Sequence, residues 1–183
     1  MTIETKQIED YPFLQNTGEI GELIFQHDWA KTSIGDINNW PLSLKVTLSN
    51  ILHSAFPMFL FWGNDFQCFY NEAFRPSLGA EGKHPAIGKK AIVVWGEIWH
   101  LVGPLIQQVF VTRKAVWFED RLIPFYRNGK VEDIYWTFTY SPAFGEDNQV
   151  MGVLVTCMET TKYVLAQQEK NKEIFTIDPI PGS

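Results

Sequence analysis

Apolar side chains recur at helical spacing in two segments near the start of the chain. Ile20, Leu23 and Ile24 predict a short helix within residues 18–28, because positions three and four apart share one helix face. The second helix follows Trp40-Pro41 and is expected to end before the next proline. Its apolar face consists of Leu44, Leu48, Ile51 and Leu52.

Short apolar runs replace the helical pattern after residue 57. Met58–Trp62 and residues 66–71 flank a Gly-Asn-Asp turn and predict a β-hairpin. Residues 72–104 are rich in Gly and Pro, which predicts loops and short helices. Residues 98–111 then carry apolar side chains at helical spacing and predict a longer helix.

Two long strands follow, over Val116–Arg127 and residues 130–141. Asn128-Gly129 joins them, and this dipeptide favours a two-residue hairpin turn because both residues tolerate positive φ. Arg127 then pairs with Lys130, and Arg121 falls opposite Trp136. A strand over residues 150–158 and a helix over residues 161–175 complete the chain. Helices and strands segregated in this way predict an α+β fold with an antiparallel sheet.

A series of short motifs, taken in order and spacing, resembles one group of PAS domains, the kind found N-terminal in bacterial sensor histidine kinases. The resemblance spans about residues 18–165. Among the motifs that carry it are Gly21-Glu22-Leu23-Ile24, Trp40-Pro41, Phe56-Pro57-Met58, Lys83-His84-Pro85, Trp95-Gly96-Glu97-Ile98-Trp99, Arg127-Asn128-Gly129 and Glu159-Thr160-Thr161. The resemblance implies a PAS fold: a five-stranded antiparallel sheet, short helices on one face and an extra N-terminal helical segment.

The resemblance divides the chain into four expected segments. Residues 1–17 are expected to be a polar lead-in, and residues 18–56 an N-terminal helical extension. Residues 57–160 are expected to form the PAS core, and residues 161–183 a C-terminal linker helix and tail.

In the sensors that this chain resembles, the inward faces of the strands line a central cavity. The expected pocket residues are Leu60, Trp62, Trp95, Trp99, Glu119, Arg121, Trp136, Phe138, Tyr140, Val155 and Cys157. Strand alternation also brings Trp117 to this face.

Glu119 and Arg121 would carry charge onto this face. Charges turned toward an aromatic cavity are costly unless they are paired. Either the two residues pair with each other or with a polar group of a ligand, or this face is half solvated at the strand end. A register slip of one residue would bring Asp120 to the cavity instead.

Glu159 and Thr161 match the acidic-x-Thr motif that closes many PAS domains. A carboxylate and a hydroxyl at a strand-to-helix junction can cap the outgoing helix and accept a hydrogen bond from the domain. The motif is therefore expected to couple the core to the outgoing helix, and an ordinary helix cap is the alternative.

Composition excludes several other classes of function. A net charge of −6 lacks the positive footprint of a nucleic-acid binder. The two cysteines, Cys68 and Cys157, form neither a disulfide framework nor a zinc pattern, which favours small buried side chains in a reducing cytoplasm. Apolar runs are too short to span a bilayer, and the N-terminal residues lack the pattern of a signal peptide.

Candidate chemistry is sparse as well. No two of the four histidines have metal-ligand spacing. Haem-binding PAS sensors take their axial histidine from the helix that corresponds to the one starting near His100, but a lone helical histidine does not by itself predict haem. The cysteine context of flavin sensors is absent. Adjacent carboxylates such as Glu119 and Asp120 point to opposite faces of a strand and cannot act as an acid–base pair. The chain also lacks the phospho-accepting histidine and ATP-binding boxes of a kinase. It is therefore expected to be either a sensor fragment of a longer protein, which could be a histidine kinase, or a stand-alone single-domain protein.

The expected function is that of a sensory or signal-relay domain in a two-component phosphorelay protein. It would sense a small molecule or a partner and signal through the C-terminal helix to a kinase or response domain. A homodimer is expected. The alternative is a PAS dimerisation or scaffold module that binds no ligand.

Overall fold

The computed structural model describes residues 6–176, without the side chains of residue 125 and residues 174–176. Within this range, five strands form one antiparallel sheet in the order β2-β1-β5-β4-β3. The strands are β1 (Met58–Trp62), β2 (Gln67–Tyr70), β3 (Val116–Arg127), β4 (Lys130–Phe144) and β5 (Val150–Glu159). The predicted class, α+β with a five-stranded antiparallel sheet, is confirmed.

Five α-helices accompany the sheet in the described residues. They are α1 (Gly18–Gln26), α2 (Leu42–Leu52), α3 (Ala91–Val94), α4 (Trp99–Thr112) and α5 (Thr161–Thr176). Short 3-10 turns lie between them, one of them at Arg75–Leu78 before α3 and another at Gly96–Ile98 after it. Over residues 6–176, no helix combines the length and the apolar character that crossing a membrane requires.

Both faces of the sheet are covered around β1. One face, here called the inner face, carries Phe59 and is packed under α4. The opposite, outer face carries Leu60, which pairs directly with Phe69 of β2. Trp29 stacks on Phe69 with ring centroids 4.9 Å apart, and Trp40 meets the same ring edge-on. The N-terminal extension therefore covers the outer face of the first two strands.

The segment expected to be a polar lead-in contributes to the core. Residues 6–17 of it are described, and Tyr11, Phe13 and Leu14 are buried there. The reason is the apolar cluster Tyr-Pro-Phe-Leu, which forms a 3-10 turn at Pro12–Leu14 packed against α2. Residues 1–5 and 177–183 of the predicted end segments lie outside the described residues.

A buried asparagine fastens the end of α2 to the sheet. The Asn71 side chain is fully buried, and its amide donates to the carbonyl oxygens of Ile51, Ser54 and Phe56 at 2.8–3.1 Å. Its own oxygen accepts from the backbone N–H groups of residues 58 and 74. The Asn71 side chain thus supplies hydrogen-bond partners to backbone groups of the α2–β1 connection.

The long hairpin has the predicted register up to its middle. Arg127 pairs with Lys130 and Arg121 pairs with Trp136, but a bulge lies between Phe118 and Arg121. Asp120 has a positive φ of 47° at this point. Because one extra residue shifts every position before it to the other face, Phe118 lies on the inner face. Trp117 is 62% exposed on the outer face, contrary to the prediction.

Candidate functional site

A cavity of about 80 Å³ lies between the inner face of the sheet and the segment from α3 to α4. Half of its wall is aromatic, from Phe59, Phe61, Phe74, Trp95, Trp136, Phe138 and Tyr140. The rest consists of Ile98, Leu101, Val102, Leu105, Ile123, Val155 and Cys157. A single water needs about 10–15 Å³ on this scale, so the space exceeds that of one solvent molecule.

Several residues expected from the sequence meet in this wall. They are Trp95, Trp136, Phe138, Tyr140, Val155 and Cys157. The ladder between β4 and β5 explains the placement, because Phe138 pairs with Cys157 and Tyr140 with Val155. Directly paired residues lie on the same face of a sheet.

Leu60 and Trp62 were expected in the cavity and lie on the outer face instead. Their neighbours in β1, Phe59 and Phe61, line the cavity. Trp62 is packed so closely over Gly152 that a β-carbon on this glycine would come within 2.9 Å of its ring. Strand β1 is apolar on both faces, so alternation could not show which set of side chains turns inward.

Trp99 is also absent from the cavity wall, because its indole lies along α4 against Gly103. The wall is built instead by Ile98, Val102 and Leu105, among others. These residues were predicted to share a helix, but they were not assigned to the pocket. Their spacing of three and four residues was the signal that could have identified them.

Neither charged residue expected in the pocket lines it. Glu119 is exposed, and the guanidinium of Arg121 lies over the ring of Phe118 at 4.4 Å from its centroid. Asp120, the residue that a register slip would have brought inward, receives a 3.4 Å hydrogen bond from the hydroxyl of Thr137. Thr137 pairs with the exposed Met158 on the outer face. The bulge thus turns both acidic residues away from the cavity.

The polar groups of the wall stay uncharged. Burial, followed by the nearby Cys157 thiol, raises the pKa of the Tyr140 hydroxyl well above its ordinary value. Burial also raises the pKa of Cys157 to about 12. A thiol with so high a pKa is not a nucleophile near neutral pH. Cys68 is buried too, as predicted, and its pKa is raised for the same reason.

The predicted signal junction is tied to the long hairpin by side chains. Arg127 donates to both carboxylate oxygens of Glu159 at 2.9 and 3.0 Å, and its Nε donates to Glu132 at 2.7 Å. The Thr161 hydroxyl accepts from the backbone N–H of Tyr135 at 3.0 Å. Both motif residues therefore bond to strands β3 and β4 as the chain enters α5.

A second set of contacts connects the cavity wall to the same hairpin. The ammonium of Lys83 lies 5.4 Å from the ring centroid of Trp95 and forms an ion pair with Glu97. Glu97 also accepts from the backbone N–H of Tyr126 at 3.4 Å, one residue before Arg127. Trp95 of the cavity wall is thus connected through Lys83 and Glu97 to the end of β3 that carries Arg127.

Two further expectations from the sequence concern metal ions and His100. Among residues 6–176, no group of three or more His, Cys, Asp or Glu side chains is arranged to hold a metal ion. His100 is exposed and does not belong to the cavity wall.

Comparison with known proteins gives structural neighbours only. No family model matches the chain, and no curated protein matches it. A sensory box sensor histidine kinase from Vibrio cholerae is 16% identical with a TM-score of 0.43, over 63% of this chain and 86% of that chain. A PAS domain from Colwellia psychrerythraea is 17% identical with a TM-score of 0.47, over 65% and 98% of the two chains.

A third neighbour is the PAS domain of the histidine kinase ThkA, which is 12% identical with a TM-score of 0.40. The match covers 56% of this chain and 95% of that one. Each of these is a similarity of fold at low identity. The chain is similar in structure to PAS domains, including those of sensor histidine kinases, which is the family that its sequence motifs resemble.

Proposed function

We propose that this chain is a sensory PAS-type module in which occupancy of the cavity changes the attachment of α5. In this proposal the module belongs to a two-component phosphorelay protein in the cytoplasm, and α5 passes the change to a downstream kinase or response domain. No catalytic role is part of the proposal, because the cavity wall carries no charged side chain and burial raises the pKa of its thiol, Cys157.

The observation that carries the proposal is the position of Trp136. Its side chain lines the cavity, and in the β4–β5 ladder it pairs directly with Glu159. The preceding residue, Tyr135, donates its N–H to Thr161 and accepts the N–H of Thr160 at 2.8 Å. A displacement of Trp136 by a bound molecule would therefore act on the residues that anchor α5.

Filling the cavity tests the proposal without a ligand. Cys157→Leu adds volume to the wall and mimics occupancy, and Val155→Ile does so more mildly. We expect amide hydrogen exchange at residues 135 and 160 to change in both variants, because the anchoring hydrogen bonds shift. Met158→Leu, on the outer face, is the matched control and should leave these amides unchanged. Folded filling variants with unaltered exchange at both amides would contradict the proposal.

A dimerisation module is the second candidate, and the outer face of the long hairpin favours it. Trp117 and Val131 are 62% and 66% exposed, and Leu122 between them is 44% exposed. Exposed apolar side chains in such number mark an interaction surface. In a symmetric dimer with its two-fold axis near Leu122, Trp117 of one copy would contact Val131 of the other, and the reverse. An isologous contact requires this arrangement.

The second candidate predicts a concentration-dependent dimer. Light scattering on the purified chain should give twice the monomer mass, and Trp117→Lys should restore the monomer without loss of fold. A monomer at every accessible concentration would contradict it. A dimer whose junction amides respond to cavity filling would combine both functions.

A further inference from the structure

We infer that the ligand of the cavity is a small, uncharged molecule built around one apolar ring, with at most one hydrogen-bonding group. This inference rests on the proposed function, since it names the kind of molecule that the proposed sensor accepts. It follows from the charge, the chemistry and the size of the cavity wall.

The charge of the wall excludes ionic ligands. Among the fourteen residues that line the cavity, none has a charged side chain. An ion moved from water into such a wall loses its hydration without gaining a partner, which is strongly unfavourable. Dicarboxylates, amino acids and nucleotides therefore fit poorly.

The nearest cations are engaged elsewhere. Lys83 lies over the ring of Trp95, does not line the cavity and is paired with Glu97. Arg121 lies over Phe118, which is not part of the wall. The charge of Arg121 lowers the pKa of the Tyr140 hydroxyl, but burial outweighs this effect, and Arg121 itself does not line the cavity.

The shape and size of the wall favour an aromatic ring. Phe59 meets Trp95 edge-on with ring centroids 5.5 Å apart, and Phe138 and Tyr140 are tilted at 5.5 Å. Aromatic rings prefer edge-to-face and offset contacts of this kind. A volume of about 80 Å³ is also well below the roughly 300–1,000 Å³ of sites for drug-sized ligands. A single ring fits this space better than a large cofactor.

The wall has four neutral polar groups: the indole N–H groups of Trp95 and Trp136, the Cys157 thiol and the Tyr140 hydroxyl. The hydroxyl is the strongest of them that can both donate and accept. The hydroxyl of Tyr140 remains protonated because of its burial and can donate or accept a single hydrogen bond. A ligand with one hydroxyl or carbonyl group is therefore favoured over a plain hydrocarbon of the same size.

Three probes with the same ring test the inference: phenol, toluene and benzoate at neutral pH. We expect nuclear Overhauser contacts from phenol and toluene to the methyl groups of Val102 and Val155. Benzoate should bind at least about 100-fold more weakly than phenol, because its carboxylate must be desolvated. Benzoate binding as tight as that of phenol would overturn the inference, and so would a failure of all three probes to contact these methyl groups.

Tyr140→Phe sharpens the test. The substitution should lower the affinity for phenol by about fivefold, which corresponds to the loss of one neutral hydrogen bond, and leave the affinity for toluene unchanged. Equal phenol affinity in the variant would remove the role of the hydroxyl, and the comparison of the three probes on the unmodified chain does not depend on this variant. The outcome also separates the two proposals. Phenol that binds without altering exchange at residues 135 and 160 contradicts the proposed function, whereas junction amides that respond to Cys157→Leu without binding of any neutral probe contradict only the ligand class.

Discussion

Arg127 grips the carboxylate of Glu159 with two parallel hydrogen bonds of 2.9 and 3.0 Å. The arginine stands at the end of β3 and the glutamate at the last position of β5, 32 residues later. Two-pronged contacts of this kind fix orientation as well as distance. The Arg127 side chain is 12% exposed, so the contact is shielded from solvent on the arginine side.

Loss of the two hydrogen bonds between Arg127 and Glu159 should lower the local stability of the start of α5. In Arg127→Gln we expect exchange of the Thr160 amide to accelerate by about five- to tenfold, because the neighbouring Glu159 is released and local opening becomes easier. Hydrogen exchange followed by NMR measures it. Arg113→Gln is the matched control, since Arg113 contacts the β4–β5 turn at the opposite end of the sheet. Equal acceleration in both variants would show that the effect is general rather than local.

Acid should weaken the fold through two carboxylates with lowered pKa. The side chain of Arg127, then Asn128, lowers the pKa of Glu132 below its ordinary value of 4.5. The backbone N–H and hydroxyl of Ser43, at the start of α2, lower that of Glu146. A carboxyl group whose pKa is lower in the folded state than in the unfolded state stabilises the fold fully at pH values above its unfolded-state pKa. This stabilisation is lost as pH falls through its folded-state pKa.

The free energy of unfolding should therefore be constant above about pH 5.5 with respect to these groups and decline below about pH 4.5. Urea denaturation over this range measures it. Glu146→Gln should flatten the decline in part, since one of the two groups no longer titrates. A wild-type profile that stays level down to about pH 3 would contradict the prediction.

The hairpin shows how far sequence patterns predicted this site. Asn128-Gly129 set the register correctly up to Arg121, because a two-residue turn leaves one pairing. The predicted register was wrong beyond Asp120, where the strand has a bulge. A bulge at a non-glycine residue with positive φ cannot be recognised from the alternation of apolar and polar side chains. The expectation that Glu119 belongs to the pocket failed with it.

The prediction of which β1 side chains face the cavity was wrong for a different reason. Its five residues are all apolar, so local pattern carried no information on facing. The facing is decided by the N-terminal extension, whose Trp29 and Trp40 cover Phe69 on the outer face. Trp29 and Trp40 precede Phe69 in the chain by 40 and 29 residues, so these contacts could not be derived from the strand itself.

Asn71 should be among the residues on which stability depends most. Asn71→Ala removes five hydrogen bonds and leaves the carbonyl groups of Ser54 and Phe56 and the N–H of Met58 without this partner, which should cost about 3 kcal/mol or more of unfolding free energy. Urea denaturation measures the loss. Asn64→Ala, at an exposed turn position, is the control and should change stability by less than about 0.5 kcal/mol.

Asn71→Asp separates the donor from the acceptor role of the same side chain. A buried carboxylate would face three carbonyl oxygens, so its folded-state pKa should be raised and its protonated form favoured in the folded state. The destabilisation should then shrink as pH falls from about 7 to about 5. A loss of stability independent of pH in this range would show that shape, rather than hydrogen bonding, makes Asn71 necessary.

Gly79 and Gly129 form a matched pair for testing how the hairpin tip supports the junction. Both have positive φ, of 81° and 75°. A β-carbon on Gly129 meets only one atom, 3.9 Å away, whereas one on Gly79 would lie 2.9 Å from the β-carbon of Arg127 and from the Asn128 side-chain oxygen. Asn128 also accepts the N–H of Ala80 at 2.8 Å, so the tip is seated on this loop.

Gly129→Ala should therefore cost only the backbone term of about 1–2 kcal/mol. Gly79→Ala should cost about 3 kcal/mol, because the steric clash adds to the same term. Only Gly79→Ala should also accelerate exchange of the Thr160 amide, since it pushes Arg127 away from Glu159. Urea denaturation and hydrogen exchange on the two variants measure both effects. Equal exchange rates of the Thr160 amide in the two variants would contradict this prediction. They would mean that the contact between the loop at Gly79 and the hairpin turn does not affect the hydrogen bonds between Arg127 and Glu159.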